Sequence, residues 1–342
     1  MAVSSRANSD YGRFLDEVKD MGLFPLWERV GGLKPGTSCV PAHWSYAEVR
    51  PQLLQACNLV TKKEASRRVL CLENPSLRGT TFVCPSLFAG LQIIMPGEVA
   101  PSHRHSPSAL RFIVEGCGAY TAVAGEKLTM APGDFVVTPA WAWHDHGNLG
   151  DEPVVWLDGL DTPFARFFGA AFWEAYPQDT HPIDRPDGES AAVYGASLMP
   201  DTFHSDGYST PVLIYPYERT RAALDKLASA GKPHPAHGYR LRYANPANGK
   251  HPFPTMAVAM QRLPAGFASQ TYRSTGSAVF CVHTGRGRAK VGDKEFALAP
   301  HDVFVVPPWE RYSFSADSEL ELFSYSDRAA QEALGYWREQ MG

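Results

Sequence analysis

Two short patterns in this chain can do chemistry, His103-Arg104-His105 and His144-Asp145-His146. With 12 histidines in 342 residues, composition alone predicts roughly 0.4 such pairs, so either one taken singly says little. Their frame says more. Gly97 stands six residues before His103 and Gly116 eleven after His105, while Gly133, Pro139, His144 and Asn148 make a second set of fixed spacings. On an extended strand, residues i and i+2 share a face, so His103 and His105 can point together into a barrel. His144, from a later strand, can complete one triangular face of a metal site, which leaves about three positions open on an octahedral ion. The bland alternative is a set of satisfied polar residues on a wet sheet face.

The elements that must hold these residues are short strands. The chain has 29 Gly and 28 Pro, with 44% apolar and 20% charged residues, a globular composition rich in turn formers. Apolar runs at Gly90 to Met95, Ala109 to Glu115, Tyr120 to Val123, Asp134 to Thr138 and Val154 to Leu157 are separated by Pro96-Gly97, Ala124-Gly125 and Pro132-Gly133. The pattern then repeats. SALRFIVEGCG (108–118) resembles SAVFCVHTGRG (277–287), and GDFVVTPAW (133–141) resembles HDVFVVPPW (301–309). Two copies of one barrel are the economical reading, and both histidine blocks match the two cupin motifs. The fold class is therefore all-β: a bicupin of two tandem double-stranded β-helix barrels with flanking helices.

The expected domains are a helical and loop arm over 1–80, a first barrel with the metal site over 81–180, a connecting segment over 181–250, a degenerate second barrel over 251–326 and a C-terminal helix over 327–342. Ser45 and Glu48 suggest a capping box, and a surface helix from Glu218 to Ala230 is closed by Gly231. In the second barrel the repeat places Tyr272, Ser274 and Tyr312 where the first has His103, His105 and His144, so one metal per chain is expected.

Other classes are set aside by charge and sulfur. A balance of 32 basic against 36 acidic residues, net −4, argues against a nucleic-acid or anionic-membrane binder. The six cysteines form no CxxC pair, as expected of buried thiols in a reducing compartment. No stretch approaches the roughly 18 apolar residues needed to span a bilayer, and the start lacks a hydrophobic signal core. The expectation is a soluble cytoplasmic protein.

The usual cupin motif adds a Glu ligand shortly after the second His, but here those positions are Ala109 and Leu110. Three neutral imidazoles leave an Fe(II) its full +2 charge, which favours a chelating dianion with one position left for O₂. Arg111 shares the face from which that Glu would have pointed, and can bind a substrate carboxylate with a two-pronged hydrogen bond or form an internal salt bridge to Asp158. Gln92 interrupts the run GLQIIM and needs a partner, either substrate or backbone. Asp158 can orient a ligand His or a substrate hydroxyl. His146 is either an acid or base handling a phenol proton or a structural histidine. Trp141 and Trp143 read as barrel walls.

Taken together, the chain resembles the gentisate 1,2-dioxygenase family, bicupin ring-cleaving enzymes that include salicylate, 5-nitrosalicylate and 1-hydroxy-2-naphthoate dioxygenases. The resemblance lies in PLWERVGGL near residue 25, RRVLCLENP at 67, AGLQIIMPGEVAPSHRHSPSALRFIVEG at 89, PGDFVVTPAWAWHDHGN at 132, VVWLDGLD at 154, GYRLRYANP at 238 and FSYSDR at 323. It implies an Fe(II) enzyme that inserts both atoms of O₂ between the carboxyl-bearing C1 and the hydroxyl-bearing C2 of a 2-hydroxybenzoate. By position it implies iron ligands at His103, His105 and His144, and a pocket of Arg111, Gln92, His146 and Asp158. Arg67 matches a further anion-binding arginine, Phe88 and Trp143 fall on the pocket wall, and a homotetramer is implied. Three positions depart from the common pattern: Phe88 replaces Trp or Tyr, Pro107 stands where Gln is common, and Cys117 where Lys is frequent. The apolar Phe88 suggests a 5-substituted salicylate such as 5-nitrosalicylate. The competing class is a metal-bound cupin that senses or binds a small molecule without oxygenase activity.

Overall fold

The computed structural model describes residues 9–29, 35–196, 198–204 and 209–342. Residues 1–35 form one compact unit and 36–342 another. In the first, helix Ser9–Asp20 carries Phe14, whose ring stacks on Trp27, with centroids 6.5 Å apart.

The larger unit contains two sandwiches of antiparallel strands. In the first, a six-stranded sheet runs Ile214–Tyr215, Phe135–Thr138, Ala109–Glu115, Val154–Leu160, Phe88–Ile94, Arg68–Cys71. It faces a five-stranded sheet ordered Trp173–Ala175, Val99–His105, His144–Asn148, Ala119–Val123, Glu126–Thr129. The second sandwich repeats the plan. Its six strands run Ala42–Trp44, Val303–Val306, Ala278–Thr284, Leu320–Ser326, Ala257–Leu263, Tyr239–Arg242, and its five run Lys294–Leu298, Gly287–Val291, Tyr312–Ala316, Tyr272–Ser274, Glu339–Met341.

The two six-stranded sheets lie back to back, which explains why their strands read as nearly continuous apolar runs: both faces are covered. One core cluster joins Leu91, Phe112, Phe135 and Leu157 to Val258, Met260, Val303 and Phe323. Phe112 stacks on Phe323 with centroids 4.1 Å apart. Leu91, Leu157 and Phe112 are register partners, and the next residues along, Gly90, Asp158 and Arg111, are partners too. By the two-residue period, this second set turns to the opposite face, into the first sandwich. The shared core thereby fixes which polar residues face the interior.

Several expectations are corrected. Residues 1–80 are not only helix and loop, because Ala42–Trp44 pairs with Val303–Val305 and Arg68–Cys71 with Gly90–Ile93, supplying one edge strand to each sandwich. Within 181–250, Tyr239–Arg242 likewise joins the second sandwich. The terminal helix stops at Ala333, short of 342; Gly335 then takes φ 75°, and Glu339–Met341 returns as a strand beside Tyr272–Ser274. Ser45 does precede helix Tyr46–Leu59, but its side chain makes no capping bond. Gly231 follows helix Tyr217–Ala230 in extended conformation, φ −167°, so no left-handed cap forms. Among the described residues, no helix is long and apolar enough to cross a membrane.

The duplication also builds a reciprocal clasp. Asp161 accepts hydrogen bonds from the Ser108 amide (2.8 Å) and the Thr255 hydroxyl (2.5 Å). Asp327 accepts them from the Ser277 amide (3.1 Å) and the Ser86 hydroxyl (2.5 Å). Each carboxyl thus ties its own sandwich to the other. Burial, only partly offset by these donors, raises both from 3.8 to about 6. An acid with a raised folded-state pKa holds its proton more tightly when folded, so stability is fully present below pH ~4 and lost as pH rises to ~6. Two units correspond to about 3 kcal/mol per group. Urea unfolding between pH 4 and 6 should therefore show a falling stability that flattens in an Asp161→Asn, Asp327→Asn double variant. An unchanged slope would mean that these two carboxyls titrate normally.

Candidate metal centre and facing pocket

His103 and His105 lie two apart on Val99–His105, and His103 is the direct register partner of His144. Alternation and pairing therefore put all three rings on one face, inside the first sandwich. Their ligand atoms lie within 4.8 Å of one another, and His103 and His144 are buried. His105 Nδ1 faces the Pro107 carbonyl at 2.7 Å and His144 Nδ1 the Ala142 carbonyl at 2.9 Å. A proton on Nδ1 donated to those oxygens leaves each Nε2 lone pair free to bind a metal.

Burial is the main cause holding all three imidazoles neutral. It takes His105 down to about 4, His103 to about 2 with help from Arg67, and His144 well below its ordinary value. Protons therefore do not compete for the lone pairs near neutral pH. His144 Nε2 is buried without a protein hydrogen-bond partner, an arrangement that costs about 1–3 kcal/mol unless something binds there. The donor set fits a divalent ion that accepts imidazole. Among the described residues this is the one His, Cys, Asp and Glu group of three placed to hold a metal. In the second sandwich Tyr272 pairs with Tyr312 just as His103 pairs with His144, and no imidazole occupies either place.

The facing wall comes from the six-stranded sheet. Arg111 and Asp158 are buried register partners, with Nε 3.4 Å from the Asp158 carboxylate. The Arg111 Nη1 group donates to the Thr138 hydroxyl at 2.5 Å, and the Trp156 indole donates to Asp158 at 3.1 Å. The salt bridge considered from sequence thus forms, through an Nε that faces the carboxylate without making a hydrogen bond. Burial raises Asp158 to about 6, against the pull of Arg111, and lowers Arg67 to about 10, with Arg111 adding to the effect. Arg67 donates to the Pro101 carbonyl at 3.0 Å and touches His103 Nδ1. Gln92 is buried and is the register partner of Trp156.

His146 lies 5.8 Å from His144 and 5.4 Å from Trp156 by ring centroids, and neither of its ring nitrogens has a hydrogen-bond partner. It is fully buried, which holds it neutral, and Arg111 and Arg67 add to that effect. Phe88 reaches over Gly90, where an added Cβ would come within 2.6 Å of Val69 and 3.0 Å of the Phe88 ring. Only glycine permits that approach.

Trp143 is a correction. Because His144 points inward, its neighbour points outward, where Trp143 and Trp141 each hold the Arg104 guanidinium 4.5 Å from their rings. Trp141 is 40% exposed, so neither indole walls the barrel interior as expected. Residues missed from sequence lie behind the ligand strands. Asp145, between His144 and His146 but on the other face, accepts from His181 Nδ1 at 2.7 Å, and Ser102 meets the same nitrogen at 3.2 Å. The signal was a lone carboxyl inside a His-x-His pair, but its partner lies 36 residues away.

Residues 90–159 match the cupin domain family model. The chain is 49% identical to gentisate 1,2-dioxygenase 1 of Aquipseudomonas alcaligenes, over 95% of each chain. It is 38% identical to a gentisate 1,2-dioxygenase of a Streptomyces species, over 96% of each. A crystal structure of salicylate 1,2-dioxygenase from Pseudoaminobacter salicylatoxidans with gentisate superposes with a TM-score of 0.91 at 31% identity, covering 99% of this chain and 96% of that one.

Proposed function

This chain belongs to the gentisate 1,2-dioxygenase family of ring-cleaving enzymes, and from that premise we propose that it opens a 2-hydroxybenzoate between the carboxyl-bearing and hydroxyl-bearing carbons, using O₂. The observation that carries the reading is a site with no acidic ligand: three neutral imidazoles with two arginines, Arg67 and Arg111, beside them. Such a site takes an anion. Fe(II) held by His103, His105 and His144 would supply the one-electron chemistry that couples the aromatic ring to O₂.

The remaining work belongs to the chain itself. Arg111 and Arg67 bind the substrate carboxylate, and Asp158 and Thr138 hold the Arg111 fork in place. Gln92 offers its amide to the same anion. His146, neutral and with both ring nitrogens unpartnered, accepts a hydrogen bond from the phenol O–H and orients it as the substrate settles. Trp156 and the apolar residues beneath it keep bulk water from the ring. The same membership carries the proposal of a cytoplasmic homotetramer.

Substrate choice falls to the wall at Phe88. A ring edge there offers no hydrogen bond to a 5-hydroxyl, so discrimination against 5-nitro or 5-chloro groups is weak. A panel of gentisate, salicylate, its 5-nitro and 5-chloro derivatives and 1-hydroxy-2-naphthoate, followed by ring-opening absorbance, tests this. Phe88→Tyr should raise the kcat/KM preference for gentisate over the 5-substituted salicylates by about tenfold. A strong gentisate preference already present in the unsubstituted chain would contradict the assignment to Phe88.

A further inference from the structure

The second sandwich has a mouth of its own. Its edge strands Tyr239–Arg242 and Glu339–Met341 stand where Arg68–Cys71 and Trp173–Ala175 stand in the first, and they flank a groove of 760 Å³. That volume suits a small organic molecule. Lys232, Arg240, Arg242 and Arg328 line it, against one carboxylate, Glu339. The Glu339 charge is already engaged: it accepts from the Tyr272 hydroxyl at 2.5 Å and lies 3.9 Å from Arg328.

The cations are less well served. Among the described residues the Lys232 and Arg240 side chains have no hydrogen bond or ion pair, and the Arg242 side chain donates only to the Gly249 carbonyl at 3.1 Å. Arg240 pairs with Gln261 and Arg242 with Ala259, so both share the inward face of their strand. Behind them lies an unanswered polar pair. Gln261 is 1% exposed with neither amide atom hydrogen-bonded, and the buried Ser324 hydroxyl also lacks a protein partner. The register puts Gln261 in the place of Gln92 and Ser324 in that of Asp158.

We propose that this mouth is a non-catalytic binding site for a small organic dicarboxylate, with Arg240 and Arg242 each taking one carboxylate. Guanidinium forks match carboxylates two-pronged. Two forks at i and i+2 on a strand start about 7 Å apart, a spacing that a compact anion such as phosphate does not span. A metal is disfavoured by the excess of positive charge.

The test is calorimetric titration of the metal-loaded chain with adipate, which lacks the ortho-hydroxyl needed to mimic a 2-hydroxybenzoate. The expected result is binding that weakens at least tenfold in Arg240→Gln and in Arg242→Gln, with unchanged unfolding temperatures, but not in Arg111→Gln. Should Arg240→Gln fail to fold, Arg240→Lys, which keeps the charge and loses the fork, should still weaken binding severalfold. Butyrate, with one carboxylate, should bind at least tenfold more weakly than adipate. No adipate binding, binding insensitive to Arg240 and Arg242, or phosphate binding as tightly at the same site would each overturn the proposal.

Discussion

A His144→Ala chain is expected to retain no metal after dialysis and to lose at least three orders of magnitude in ring-cleaving kcat/KM. His144 is the most buried of the three ligands and pairs directly with His103, so two imidazoles from a single strand remain. Those two cannot define a face for a metal. The fold itself should survive, because the lost nitrogen makes no protein hydrogen bond and the Nδ1 contact is to a local carbonyl. Unfolding of the metal-free variant should fall within about 1–2 kcal/mol of the metal-free parent. Metal analysis of the parent should give one ion per chain, since Tyr272 and Tyr312 take the corresponding places in the second sandwich. Two ions per chain, or a variant that keeps its metal, would contradict the assignment.

Arg111→Gln carries the second large effect. Removing this guanidinium takes away the proposed carboxylate partner and also leaves buried Asp158 without its ion-pair partner. We expect kcat/KM to fall by about 10–10², mostly through KM, as for loss of a charged hydrogen bond. Breaking a buried pair should also destabilise the chain by about 3–5 kcal/mol. Asp158→Asn separates the two roles. If Arg111 serves substrate, Asp158→Asn leaves the guanidinium in the pocket, still held by Thr138, and raises KM far less than Arg111→Gln does. If the salt bridge is its whole purpose, both variants lose stability alike and neither changes KM.

Much of the site was legible because its spacing is local. His103 and His105 needed only the two-residue period of a strand, and the repeat fixed Tyr272 and Tyr312 as the replaced ligands without any structure. Arg111 and Asp158 were legible as polar residues on one face, since their strands alternate between the shared core and the sandwich interior. What failed depended on events at single residues. Trp143 was misplaced because the turn before it passes through Trp141 at φ 62°, and the phase of the strand is set only at His144. The C-terminal helix was overextended because the left-handed Gly335 turns the chain back as a strand. Asp145 and His181, and the groove at Arg240, rest on partners brought together by the fold alone, and no short window of sequence contains them.

Oxygen chemistry on a chain loaded anaerobically with Fe(II) tests the ring-cleaving assignment most directly. Under ¹⁸O₂ with salicylate or gentisate, one O₂ should be consumed per ring opened, with both labelled atoms in the open-chain product. Oxygen uptake absent with every acid of the panel, or a product carrying label from a single atom, would contradict it.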